Sequence, residues 1–213
     1  MTRLRFDISM SLDGFVAGPS QTEENPLGEG GEQLHQWAFA LEAWRKPHGK
    51  DGGDVNASTA VIEESLDNLG AAVMGRNMFG GTGAWGDDPW DGWWGDDPPF
   101  HMPVFVLTHH AREPLVKDGG TTFNFVTDGI ASALEQATAA AAGKDVALTG
   151  GASVAQQYLA AGLIDEMQIH VVPVLLGGGT RLFENLEGAT VPLEVTRAVE
   201  APGVTHLTYR AVK

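Results

Sequence analysis

Gly150-Gly151-Ala152-Ser153-Val154 has the residue types of a strand-to-helix turn that holds an anion. Glycine admits positive φ and lets a ligand approach the backbone closely. The N–H groups left over at the start of a following helix then favour a phosphate. The stretch is neither G-x-G-x-x-G nor a P-loop, since no Lys follows the glycines. A bare turn without a ligand accounts for the same residues. Gly75-Arg76 after Val73-Met74 offers an Arg at a strand end, suited either to a phosphate or to a surface salt bridge. Thr108-His109-His110 ends another apolar run and reads as a ribose-phosphate contact or as an ordinary turn.

Two further residues have chemistry to offer. Asp13, in Ser11-Leu12-Asp13-Gly14, suits a turn anchor before glycine or an acid that orients or protonates a substrate. His170 sits mid-strand among apolar neighbours, either as a hydrogen-bonded core residue or as a catalyst. His109 and His110 do not make a metal site, because adjacent strand residues point to opposite faces and no third ligand has motif spacing. The segment 80–100 gathers Trp85, Trp90, Trp93 and Trp94 with Asp87, Asp88, Asp91, Asp96 and Asp97. It reads as a lid over a flat heterocycle, as a local mini-core or as a dimer contact.

The elements that must position these residues follow from pattern. Short apolar runs predict strands over Leu4–Met10, Ala71–Met74, Val104–Leu107, Phe123–Val126, Val146–Leu148 and Ile164–Leu176. Leu34, Trp37, Leu41 and Trp44 share one helical face. Further helices are predicted over Asn56–Leu69, with Asn56 or Ser58 as cap and Gly70 after its last turn, over Ile130–Ala142, capped by Thr127 or Asp128, and over Ala152–Ala161. Leu193–Val199 and Val204–Val212 flank Ala201-Pro202-Gly203 as a hairpin. Alternation of strands and helices predicts an α/β fold: a central, mostly parallel sheet with helices on both faces and a C-terminal antiparallel hairpin. In such sheets ligands gather outside the carboxyl ends of the strands. No composition shift marks a linker, so one domain over residues 1–213 is expected.

Composition bounds the function. The net charge of −15 argues against nucleic acid and anionic membranes as partners. An anionic small molecule held by local amides and an Arg is still compatible with it. The chain has no cysteine, which removes disulfides, Cys metal sites and thiol nucleophiles. No apolar run approaches the roughly 20 residues a membrane helix needs, and the N-terminus is too polar for a signal peptide. A cytoplasmic protein is expected.

In this order the stretches Ser11–Gly18, Val73–Arg76, Val104–Thr108, Gly150–Ser153 and Leu163–Phe183, with Pro173 and Gly177-Gly178-Gly179 in the last, resemble the dihydrofolate-reductase-like family. That family includes the C-terminal reductase domain (RibD type) of riboflavin biosynthesis. The resemblance implies NADPH as hydride donor, with NADH not excluded, a small polar heterocyclic substrate and often a homodimer. It places Gly75, Arg76, Thr108 and His109 along the adenosine-side phosphates, and Gly150, Gly151, Ala152, Ser153 and Val154 at the pyrophosphate. Val16, Ala17 and Gly18 fall near the nicotinamide, Asp13 faces the substrate, and His170 matches a substrate-site position. Two departures stand out. The family's frequent Arg after the strand threonine is His109 here, with Arg112 farther on. Neither Glu32 nor Glu42 is clearly equivalent to the helix carboxylate of dihydrofolate reductases. A ligand-binding protein that keeps the cofactor fold without turnover is the alternative.

Overall fold

The computed structural model describes residues 2–22, 24–80, 83–87, 89–186, 188 and 190–212. The strands are β1 (Leu4–Ser11), β2 (Phe15–Ala17), β3 (Leu69–Gly75), β4 (Pro103–Leu107), β5 (Leu115–Val116), β6 (Thr122–Val126), β7 (Asp145–Gly150), β8 (Glu166–Val172), β9 (Thr180–Arg181), β10 (Leu193–Ala201) and β11 (Val204–Ala211). The α-helices are α1 (Gln36–Phe39), α2 (Glu42–Arg45), α3 (Ala57–Leu66), α4 (Arg76–Phe79), α5 (Gly129–Ala140) and α6 (Ala152–Ala160). These residues fall into two compact units, each built from two separate stretches: residues up to Phe6 with Asn68–Ile164, and Asp7–Asp67 with Asp165 onward.

The first unit is the parallel α/β part. Its strands lie in the order β1-β7-β3-β4-β6-β5. The β1/β7, β3/β7, β3/β4 and β4/β6 pairs are parallel, and only the short β5 runs antiparallel to β6. Ala71–Met74, Val104 and Val106 are at most 1% exposed. Burial of both strand faces explains their continuous apolar runs. Helix α5 packs on β3 and β4, and α6 on β3 and β7. Asp145, the first residue of β7, is buried and is held by Arg3, whose Nη2 lies 2.8 Å from its Oδ2.

Gly70 does not end a helix. It lies inside β3, where a Cβ would come within 2.5 Å of Ala141 O, so glycine there permits close packing. Helix α5 also ends before Ala142, and Asp128 makes no side-chain capping bond to it.

The second unit carries the antiparallel part, in the order β10-β11-β8-β1. Strand β11 pairs antiparallel with both β10 and β8, and Gly203, at φ +75°, turns the β10–β11 hairpin. A small separate sheet pairs β2 with β9. Strand β8 stops at Val172, short of the predicted Leu176, because Pro173 has no N–H to continue the ladder.

The helical face Leu34, Trp37, Leu41 is buried as its spacing predicts, but it is not one helix. Leu41 is extended, at ψ 140°. Glu42 N–H donates to Asp54 O and Asp54 N–H to Ala40 O, so a strand-like crossing interrupts the helix there. Leu66 is 63% exposed, and the chain leaves α3 through a left-handed Asn68.

Of the two caps predicted for α3, Asn56 is the one used. Its Oδ1 accepts from Ser58 N–H at 2.8 Å, while Thr59 Oγ1 accepts from Asn56 N–H at 3.1 Å. Replacing Asn56 by Ala is expected to cost about 1 kcal/mol, read as a lower denaturation midpoint in urea with unchanged slope. A variant as stable as the parent would show that the cap contributes nothing.

Candidate functional site

In the first unit, strand register assembles the predicted cofactor residues. Gly150 is the Cα partner of Met74, and Gly75 that of Leu107. Parallel neighbours in this register bring Gly75, Thr108 and Gly150 to one edge of the sheet, the carboxyl edge. A Cβ on Gly75 would come within 2.8 Å of Val154 Cγ2 and 3.4 Å of Gly151 N. Glycine at 75 therefore lets the end of β3 approach the β7–α6 turn. Gly150 has φ +129°, and the Gly150–Gly151 peptide is cis.

Gly151 is the N-cap of α6 and supplies no side-chain cap. The amides of Val154 and Ala155 are bonded to Gly151 O at 3.1 Å. Helix geometry leaves those of Ala152 and Ser153 without intrahelical acceptors. A Cβ on Gly151 would meet nothing within 4 Å, so open space adjoins these donors. Ser153 is exposed, and Ala152 and Val154 are buried. Free amides, a helix N-terminus and adjoining space form the donor set that suits a pyrophosphate.

Arg76 lies with its guanidinium carbon 3.6 Å from the centroid of the Trp85 ring. Thr108 is buried, and its Oγ1 accepts from His110 N–H at 3.2 Å, which closes the turn after β4. His109 and His110 are exposed. The 80–100 segment proves to be a packed mini-core: Phe79, Trp85, Trp94, Phe100, Phe123 and Phe125 meet largely edge to face, with centroids 4.9–6.1 Å apart. Asp88, grouped above with the aspartates of this segment, lies outside the described residues.

In the second unit, Asp13 is an anchor. Its Oδ1 accepts from Ser11 Oγ–H at 2.6 Å and from Leu176 N–H at 3.1 Å, and its Oδ2 accepts from Gly177 N–H at 2.8 Å. The Ser11 hydroxyl, with the Gly177 and Leu176 amides, holds its carboxyl down at about 2. It is ionised at neutral pH, which fits an orienting group and is poorly matched to a proton donor. Gly18 and Gly179 owe their type to internal packing. A Cβ on Gly18 would come within 1.9 Å of Glu29 O, and one on Gly179 within 2.1 Å of Ala17 O. Val16, Ala17 and Gly18 are all buried.

His170 is 2% exposed and belongs to a buried chain that the local sequence pattern does not show. Its Nε2 lies 2.7 Å from Asp7 Oδ1, and its Nδ1 lies 2.7 Å from His206 Nδ1. His206 Nε2 lies 2.8 Å from Ser58 Oγ. Trp37 packs against both imidazoles and donates its Nε1–H to Leu34 O at 3.0 Å. One set of tautomers lets every donor of this chain meet an acceptor. Ser58 Oγ–H donates to His206 Nε2, His206 Nδ1–H to His170 Nδ1, and His170 Nε2–H to Asp7. Enclosed in this way, with both ring nitrogens engaged, His170 has the surroundings of a hydrogen-bonded core residue. Alternation in Phe6-Asp7-Ile8-Ser9-Met10-Ser11 does put Asp7, Ser9 and Ser11 on one face of β1. That polar face is the only local sign of the network.

A sequence profile of the RibD C-terminal domain matches residues 2–206. The chain belongs to this family. Its fold is also that of solved members. A riboflavin biosynthesis protein described as putative, from Shewanella sp. PV-4, matches over 100% of both chains at 24% identity and a TM-score of 0.65. A pyrimidine reductase-like protein of Corynebacterium diphtheriae matches over 100% of this chain and 92% of its own at 13% identity, TM-score 0.57. The riboflavin biosynthesis reductase of Saccharomyces cerevisiae matches over 100% and 89% at 15% identity, TM-score 0.55. Comparison with curated proteins finds no match. Membership confirms the α/β class with a mostly parallel sheet and C-terminal antiparallel strands. Among the described residues of this RibD-family chain, no helix is long and apolar enough to cross a membrane.

The buried chain has a consequence for stability. Burial, and then the neighbouring His170, lowers the pKa of His206 from 6.5 to about 4. Below pH 6.5 the unfolded chain binds a proton at this residue that the folded chain refuses, so acidification favours unfolding. The melting temperature is expected to fall between pH 6.5 and 4, and His206→Gln is expected to flatten that part of the profile. Thermal melts across this range check it, and identical pH profiles for the two proteins would refute it.

Proposed function

We propose that this protein is a nicotinamide-dinucleotide-dependent reductase acting on a small polar heterocycle, of the kind reduced in riboflavin biosynthesis. The observation that carries the reading is the Gly75/Gly150-Gly151 corner. Three glycines and the start of α6 leave two backbone amides beside open space at the carboxyl edge of a parallel sheet. Family membership supports reduction as the chemistry. A bound reduced nicotinamide supplies the hydride, delivered to a C=N or C=O carbon of the substrate. The chain's own residues bind and orient. The amides of Ala152 and Ser153 hold the pyrophosphate, with Gly151 giving backbone access. Asp13 fixes Leu176 and Gly177, and through them the segment that leads to Gly179 and its contact with Ala17. The reading includes a homodimer acting in the cytoplasm.

A binding protein without turnover is the second reading, and one observation favours it. Both acid candidates are committed elsewhere, Asp13 as an ionised anchor and His170 inside the hydrogen-bonded chain. Protonation of a substrate would then fall to water.

Gly151→Asp separates the pyrophosphate reading from a structural one. The position has φ −85° and open space, so the side chain fits, yet its carboxylate faces the phosphate position. Dinucleotide affinity is expected to fall at least about tenfold, roughly 1.4 kcal/mol, by calorimetric titration. Unchanged affinity would remove the pyrophosphate assignment. Oxidation of the reduced dinucleotide in the presence of a ribosylaminopyrimidine or pteridine is expected of the reductase. Tight binding without any such turnover would select the second reading.

A further inference from the structure

Asp7 is the outlet of the hydrogen-bonded chain in the second unit. Its side chain is 39% exposed, whereas Ser58, His170 and His206 behind it are at most 2% exposed. Strand β1 has a strand on each side, so this is not the exposure of a sheet edge. Both carboxyl oxygens are fixed from within. Oδ1 lies 2.7 Å from His170 Nε2, and Oδ2 accepts from Gln168 Nε2–H at 3.2 Å. Gln168 is itself held, its Oε1 accepting from Thr208 Oγ1–H at 3.4 Å. Among the described residues no Lys or Arg forms an ion pair with Asp7. Arg5, two residues before it on β1, lies 3.9 Å from Asp145 Oδ2, and Arg197 is paired with Glu64. Burial, and then the neighbouring His170, lowers the pKa of His35, so that imidazole brings no positive charge to the chain at neutral pH.

We infer that Asp7 is a substrate-facing acid, and that the group it takes is a protonated imine, whose carbon receives the hydride. The inference rests on the reductase reading above and selects C=N over C=O as the bond reduced. An ionised carboxyl group has acceptor positions only, about four of them. Two bonds reach those of Asp7 from inside, which leaves the outward ones to a ligand. A carbonyl oxygen is an acceptor too and would be repelled there. An iminium presents both an N–H and a positive charge, and such charge-assisted bonds are the strong ones. Bonds from His170 and Gln168 fix the acid before a ligand arrives, which lowers the ordering cost of binding. A net charge of −15 also draws a cation towards the protein. In the reaction the imine carbon gains the hydride of the reduced nicotinamide. The C=N π pair becomes the lone pair of the product amine, and the dinucleotide is left oxidised. The nitrogen took its proton from water before binding, so neither Asp13 nor His170 has to supply one. Asp7 transfers no proton and orients the iminium, with His170 as its positioning residue.

Two probes of the same bicyclic shape test this: 3,4-dihydroisoquinoline, a cyclic imine, and 2-tetralone, a ketone. Each is titrated calorimetrically into the full chain, as are NADPH and NADH, and oxidation of the reduced dinucleotide is followed in parallel. The parent is expected to bind the imine at least about tenfold more tightly than the ketone, and to reduce the imine in preference. Asp7→Asn is expected to weaken the imine at least about tenfold while leaving the ketone and both dinucleotides within about twofold. His170→Gln keeps the acid and loosens it, so it is expected to raise KM for the imine with kcat within about twofold. If Asp7→Asn does not fold, the imine:ketone affinity ratio of the parent carries the test, and a ratio near one overturns the inference. Equal loss of both probes in Asp7→Asn, preferential reduction of the ketone, or dinucleotide binding with neither probe bound or reduced also overturns it, and leaves the dinucleotide reading standing. Failure of both dinucleotides to bind the parent overturns the dinucleotide reading and this inference with it.

Discussion

Parallel pairing of β7, β3 and β4 is the constraint on which the carboxyl edge of the first unit depends. Each strand must reach the same edge before its loop begins, and register enforces this: Met74 pairs with Gly150, and Gly75 with Leu107. Side chains would hinder the crossing at that edge. A methyl group at position 75 would overlap Val154, so glycine there keeps the strand end and the helix start in contact. The donors of α6 are then presented by backbone alone. This suits a chain of net charge −15, because helix amides attract a phosphate locally without a basic surface.

The second unit solves a different problem, how to bury two imidazoles. Unpaired polar groups in an interior cost on the order of 1–3 kcal/mol each. Asp7, His170, His206 and Ser58 avoid this by closing a chain of donors and acceptors beneath Trp37. The chain also links β1, β8, β11 and the first turn of α3, so it joins elements as well as satisfying them.

Glycine after a buried strand is a local signal with a local cause, so Gly75 and Gly150 were legible from the sequence, as was the parallel order of the elements carrying them. The Asp7–His170–His206–Ser58 chain was not, because its members are separated by 36 to 163 residues and meet only through β8–β11 and β1–β8 pairing. The stretch from Leu34 to Trp44 shows the division within a single segment. Its apolar spacing correctly marks the buried face. Its continuity was misread, since the break comes from Asp54, ten or more residues downstream. The tryptophan segment has no period to read, and the packing of its rings on Phe79, Phe123 and Phe125 is purely tertiary. Asp13 was legible as a turn residue, but its acceptors' partners, Leu176 and Gly177, lie across the chain.

Strand β10 stands last in the strand order, and nearly all of its residues are exposed, including Leu193 and Val195. An open strand of this kind is a template for pairing with another chain. The register of its ladder with β11 shifts between Val195 and Arg197, and Glu194, Arg197 and Glu200 punctuate it with charge of both signs. Glu194 is paired with Arg210, and Arg197 with Glu64. A kinked, charged edge is a poor partner for a flat one. Resistance to runaway strand addition is therefore written into this edge itself, in addition to the repulsion between like-charged molecules.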